Sequence, residues 1–182
     1  MDDATLRAFL DDDGLLRPDA ALAPPAPDAA YLVFAQRPDA ALDWAVLGHH
    51  AERFFGAALA PGAPKRYRFG GPKVDAALVH VTPASVPGGA RLAWGRPTSD
   101  ADLDRAHRAE MRVGYTGMFD LAQRCEAVWL IAVDAEPDAT ALLVAAIFAS
   151  VVLGPIVPPD GGALFGVRGA RERLERIAPG YR

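Results

Sequence analysis

The amino-acid sequence predicts an α+β fold with a ferredoxin-like split βαβ core (β-α-β-β-α-β), followed by a C-terminal buried helix, a short strand and a final helix. Three observations carry this expectation. Between Tyr31 and Val133, apolar runs of strand length alternate with stretches of helical period in the order strand, helix, strand, strand, helix, strand. The two middle strands are separated by Pro87-Gly88-Gly89, a hairpin turn that favours antiparallel pairing. The block Ala139–Val157 carries no charge, as expected of a helix covered on every side. An α/β doubly wound parallel sheet is the alternative that the same alternation allows.

Taken in order, residues 1–30 read as an acidic Ala/Pro-rich arm, with seven Asp against two Arg. It offers a short helix near Ala4–Leu10 and then the extended linker PDAALAPPAPDAA. Residues 31–182 read as a single α+β domain. Tyr31–Gln36, YLVFAQ, is a first strand, rich in aromatic and branched residues. Pro38-Asp39 opens a helix to about Leu59, where PGAP stops it; Trp44, Leu47, Ala51, Phe54 and Phe55 share its apolar stripe. A loop with Lys65, Arg66, Arg68, Gly70, Gly71 and Lys73 leads to strands Val74–Val81 and Ala90–Arg96. Ser99 and Asp102 resemble a capping box for a second long helix towards Arg124, unless Gly114 and Gly117 break it and present Tyr115 and Thr116. The strand VWLIAV (Val128–Val133), the buried helix, the turn Pro158–Gly162, the run ALFGV and a helix near Arg168–Ile177 complete the chain. Two crossovers of one hand place both long helices on one face of the sheet.

The uncharged block also raises a membrane reading, because a spanning helix needs about 20 apolar residues. Gly154-Pro155 shortens the helix to Asp138–Leu153, and the flanks carry Asp134, Glu136, Asp138 and Asp160 without a basic cluster beside them. No membrane partner is therefore expected. With 182 residues, 51% of them hydrophobic, the chain is long enough for one real core and is not disordered throughout. A net charge of −4 gives no reason to expect nucleic acid. The opening MDDATLRAFLDDD lacks the pattern of a secretory signal, and one cysteine forms no internal disulfide, so a cytoplasmic location is expected. Abundant Ala, and Arg far in excess of Lys, suit a bacterial genome.

Nucleotide-binding motifs are missing: no Gly-x-Gly-x-x-Gly follows the first strand, and no Walker-type lysine occurs. Lys-Arg-Tyr-Arg-Phe-Gly-Gly also fails the RNA-recognition pattern. The candidate catalytic residues are His107, Glu110 and Tyr115. His107 and Glu110 lie three residues apart on one helix face beside Gly114 and Gly117, a spacing that suits a general base and an orienting acid, or two ligands of a metal site. The candidate anion-binding residues are Lys65, Arg66, Arg68 and Lys73, around a Gly-Gly that exposes backbone N–H groups. His49 and His50 diverge on their helix and read as solvent-facing, His80 as structural, and Cys125 as a small core residue. No cofactor and no metal are expected. The last helix, with Arg168, Arg171, Arg173 and Arg176, suits carboxylate or phosphate, and the acidic arm is a partner for it within the chain. These readings favour a non-catalytic, protein-binding or accessory (toxin-neutralising among others) domain that binds another protein or its own copy as a homo-oligomer. The alternative is a small enzyme or a ligand- or metal-binding domain using the His107–Glu110 pair.

Overall fold

A computed structural model of the chain describes residues 24–36, 43–61, 65–67, 74–83, 88–135 and 137–179. Its strands are β1 (Ala30–Ala35), β2 (Ala57–Pro61), β3 (Lys65–Tyr67), β4 (Val74–Pro83), β5 (Gly89–Pro97), β6 (Ala127–Ala132) and β7 (Ile156–Val157). Its α-helices are α1 (Trp44–Phe55), α2 (Asp100–Val113), α3 (Met118–Ala122), α4 (Ala139–Val152) and α5 (Val167–Ile177). The chain is α+β, with one mixed-order sheet running β2, β4, β5, β6, β1, β7; β3 pairs with the other half of the β4 edge that β2 occupies. Every strand pairing among the described residues is antiparallel, so the doubly wound parallel alternative does not hold.

The split βαβ order is present along the chain, but its ferredoxin-like arrangement is not reproduced in detail. β6 lies between β5 and β1, which moves the first strand outward. The long helices also occupy opposite faces instead of a common one. Val33 and Ala35 of β1, with Trp129 and Ile131 of β6, meet α1, α4 and α5. Their alternate neighbours, Leu32, Phe34, Val128 and Leu130, meet Ala106 and Ala109 of α2 and Ala122 of α3. A strand whose side chains point alternately to two covered faces must be apolar at every position, which is what YLVFA shows.

α4 is the interior helix. Twelve of its residues are buried, and it packs against β1, α1 and α5. Each fully buried Leu or Ile here contributes roughly 1.5–3 kcal/mol. No helix among the described residues is long and apolar enough to cross a membrane. Its start is fixed by Asp138, whose carboxylate accepts from Ala141 N at 2.9 Å and from Arg91 Nε and Nη2 at 2.9 and 3.0 Å. At its end Leu153 takes the left-handed conformation (φ 58°), a site usually given to glycine. Gly154 serves a different purpose: a Cβ there would lie 1.7 Å from the Phe34 carbonyl oxygen. Phe34 N donates to Pro155 O at 2.9 Å and Gln36 N to Val152 O at 3.0 Å, tying this corner to β1.

Three boundaries differ from the sequence expectation. α1 starts at Trp44, because Asp43 is extended and its Oδ1 caps Ala45 N and Val46 N; Pro38-Asp39 lies outside the described residues. α1 ends at Gly56, in the left-handed region (φ 57°), and the Ala-rich stretch after it becomes β2 because it pairs with β4. The second long helix stops at Val113: positive φ at Gly114 (89°) and Gly117 (77°) turns the chain into the separate helix α3. The expected helix Ala4–Leu10 lies outside the described residues.

Candidate functional site

A cleft of about 600 Å3 opens beyond the β7 edge, where α5, the turn after β7, the C-terminus of α2 and the start of α4 converge. Its size falls in the range of small-molecule and peptide sites. The turn Pro158–Gly161 forms one wall, and two arginines of α2 hold it. Arg105 Nη2 donates to the carbonyls of Pro158 (3.1 Å) and Pro159, and Arg112 Nη1 donates to those of Asp160 (3.2 Å) and Gly161 (3.1 Å). Asp160 Oδ1 accepts from Gly162 N at 2.8 Å, closing the turn on itself. The wall is thus preorganised by side chains of α2.

The opposite wall is α5. Arg173 lies over the Phe165 ring at 3.9 Å and donates to Gly169 O at 3.2 Å, and Arg176 Nε donates to Glu172 O at 3.1 Å. Neither guanidinium meets a carboxylate within ion-pair distance among the described residues; on α5 that pairing falls to Arg168 with Glu172, at 3.1 Å. Burial, and then the charge of Arg176, pulls Arg173 below the ordinary arginine value. Arg173 is half-buried and Arg176 exposed, and with Asp160 as the one carboxylate among the described residues that line the cleft, the two guanidiniums leave it attractive to an anion. Apolar groups complete the cleft: Val113 at 50% exposure and Ile177 at 36% stand at its rim, and Leu142 is buried within it. Tyr31, the second residue of β1, also lines it.

The residues singled out as catalytic lie elsewhere, on the α2–α3 corner. Glu110 is buried, and its Oε1 accepts from Thr116 Oγ1 (2.6 Å), Met118 N (2.8 Å), Thr116 N (3.1 Å) and Phe119 N (3.3 Å). Burial raises its pKa, but these hydrogen bonds outweigh that and hold the carboxyl below its ordinary value. His107 is exposed and packs on the Phe119 ring at 4.8 Å; no hydrogen bond joins it to Glu110 among the described residues. Tyr115, 76% exposed, donates to Asp120 Oδ2 at 2.7 Å. The spacing thus brought His107 and Glu110 to one corner, and the helix break turned the carboxylate towards the N-terminus of α3. Of the expected anion-binding residues, Lys65 and Arg66 belong to β3, opposite Ala76 and Asp75 of β4, instead of to a loop. Arg68 and Lys73 lie outside the described residues.

His50 is not simply solvent-facing. Its Nδ1 lies 3.0 Å from Ser150 Oγ across the α1–α4 interface, and burial, then His49 and Arg53, lowers its pKa. Ser150 Oγ also donates to Ile147 O at 2.7 Å, the ordinary helical use of a serine hydroxyl. Cys125 is buried, and burial pushes its thiol up to about 11, which suits the core role expected of it. No group of three or more His, Cys, Asp or Glu side chains among the described residues is placed to hold a metal ion.

The sequence signal for the cleft was the arginine-rich last helix beside the Pro-Pro-Asp-Gly-Gly turn. The contributions of Tyr31, Val113 and Leu142, distant in sequence, had no such signal. No family model, curated protein or solved structure matches the chain.

Proposed function

We propose that the chain is a non-catalytic protein-binding domain, and that the cleft between α5 and the Pro158–Gly162 turn is its docking surface. One observation carries the reading: Arg173 and Arg176 face a cleft without a carboxylate partner among the described residues, and exposed Val113 and Ile177 stand at its rim. Apolar rims around unpaired guanidinium groups suit a segment that combines acidic and apolar side chains. Such a segment belongs to another protein or to a second copy of this chain, and its carboxylates would take the bidentate geometry that arginine offers. The wall clamped by Arg105 and Arg112 lowers the ordering cost of binding.

Fluorescence anisotropy with labelled peptides of matched length, varied in Asp and Leu content, tests this. Peptides rich in both bind the wild-type chain, weaken as salt rises, and lose at least about tenfold in affinity in the Arg173→Ala/Arg176→Ala variant. Equal binding by wild type and variant overturns the reading, as does the absence of binding by every peptide. His107→Ala and Glu110→Gln, tested in the same assay, leave affinity unchanged; a loss there moves the site to the α2–α3 corner.

A further inference from the structure

We infer that the chain carries a second, smaller ligand site between α1, α4 and α5, which takes a small amphipathic carboxylate: an anionic head at Arg171 and His50, and an alkyl or aryl body over Phe54, Leu153 and Val167. The site shares no lining residue with the cleft beside the Pro158–Gly162 turn, so it stands or falls independently of the docking function. Its cavity is about 450 Å3, within the range of small-molecule sites. Three helices each contribute a polar and an apolar group. His50 and Phe54 lie one turn apart on α1, Val167 and Arg171 lie one turn apart on α5, and Ser150 and Leu153 come from the end of α4.

Charge decides the head group. The polar side chains of the cavity are an arginine, a histidine and a serine, and no Asp or Glu is among the described residues that line it. Arg171 uses one N–H on the Phe54 carbonyl and meets no carboxylate within ion-pair distance among the described residues. Its guanidinium carbon lies 5.0 Å from the centre of the Phe55 ring, which holds the side chain at the end of α1. At His50, burial first, and then the charges of His49 and Arg53, disfavour the imidazolium. An anion placed between Arg171 and His50 relieves that cationic field.

The Ser150 hydroxyl fixes how His50 is presented. Its proton goes to Ile147 O at 2.7 Å, so in the 3.0 Å contact with His50 Nδ1 the ring donates and Oγ accepts. Nε2 of the neutral ring then carries the lone pair. A carboxylate that binds here does so with uptake of a proton at Nε2, which becomes a second cationic donor beside Arg171. The groups around the ring are His49 and Arg53 on its own helix, Ser150 on α4 and Arg171 on α5. The apolar wall carries two marks of a ligand surface. Phe54 and Leu153 are 43% and 50% exposed, although their neighbours Phe55 and Val152 are buried. Leu153 also holds φ 58°, where glycine would be relaxed, and it is the one non-glycine residue with positive φ among the described residues.

The test titrates the full chain with octanoate and follows its backbone amides by NMR, with octanol and octylamine as controls of equal length. Octanoate is expected to shift the amides of Leu153, Gly154, Val167 and Arg171 in a saturable way, and to bind at least about tenfold more tightly than either control. Absence of saturable shifts overturns the inference, as does equal affinity for octanol. Shifts confined to Tyr31, Gly161 and Gly162 place the anion in the other cleft and overturn it too. Arg171→Gln should lose about tenfold in octanoate affinity. Leu153→Gly is a second variant whose fold is not at risk, because glycine suits the left-handed φ; it should lose about fivefold as the apolar wall goes. Unchanged affinity in either variant overturns the inference. Lowering the pH from about 8 to about 6 should tighten octanoate binding about threefold or more in the wild type but not in His50→Gln. A wild type whose affinity ignores pH overturns proton uptake at His50 and, with it, the assignment of the head group.

Discussion

On one face of the sheet, a single apolar core runs from Leu47 of α1 through Leu142–Phe148 of α4 to Leu174 of α5. On the other face, the apolar cluster is smaller, and two buried carboxylates, Asp102 and Glu110, fix α2 and α3 beside it. Asp102 accepts from Arg96 Nη1 and Nη2 at 2.6 and 2.7 Å and from Ser99 N and Oγ at 2.9 and 2.6 Å. Burial alone would raise its pKa, but Arg96 and Ser99 together bring it below its ordinary value. The first face is held mainly by non-directional burial, which tolerates rearrangement of similar volume, with the bonds of buried Asp138 to Arg91 and Ala141 at the start of α4 as a directional addition. The second depends on directional bonds that fail singly and are costly when they do. The same face also supplies Arg105 and Arg112, so the wall of the cleft inherits that rigidity.

The largest effect expected from breaking this contrast is on the apolar side, at a steric pinch tighter than those at Gly95 and Gly169. Gly154→Ala drives a methyl group into the Phe34 carbonyl and should cost about 4 kcal/mol, read from the urea midpoint. A cost below about 1 kcal/mol would show that the α4–β1 corner relaxes freely. Next comes Arg96→Ala, which leaves Asp102 buried without its cation and should cost about 3 kcal/mol. Replacing the pair by Met and Leu should recover most of that, and failure to recover would show that Asp102 is needed for Ser99 more than for Arg96.

Glu110→Gln should cost about 1–2 kcal/mol at neutral pH, because a neutral amide accepts the four bonds less strongly. The sign of its pH dependence follows from the lowered folded value. The carboxylate's stabilisation is complete above the ordinary value of 4.5 and is lost as pH falls through the folded value, so wild type and variant converge in acid. Parallel curves would assign the stability of this corner to packing alone. The smallest effect concerns His50, whose folded pKa is lowered from 6.5. Stability tied to its neutral form is present above that value and lost as pH falls through the folded value. Acidification from about pH 7.5 to about 5.5 should therefore cost under about 1 kcal/mol, and His50→Gln should remove the slope.

Much of the fold was legible because burial leaves a mark on composition. An uncharged run ending in Gly-Pro can only be an interior helix or a span, and the strand YLVFA betrays two covered faces. The Ser99–Asp102 spacing located the start of α2 because capping is a local matter. The end of α1 was less legible: Ala57–Ala60 has helical propensity, and pairing with β4 overrode it. The corner at Glu110 was half legible. The i, i+3 spacing marked the residue, but the partner of its carboxylate was decided by two glycine φ angles after the helix. The cleft was the least legible, because Tyr31, Val113, Leu142 and Arg173 meet only when β1, α2, α4 and α5 are stacked around β7.

By itself, the sequence determined which segments are apolar, where α2 begins, where α4 and α5 lie, and that β4 and β5 pair antiparallel. These follow from periodicity, capping and turn chemistry, which act over a few residues. Only the tertiary structure decided that β6 inserts between β5 and β1, that α1 and α2 take opposite faces, and which arginines brace a turn while others line a cleft. Strand order and side-chain partnership depend on contacts between residues far apart in the chain, and a local pattern stays the same whichever neighbour it finally meets.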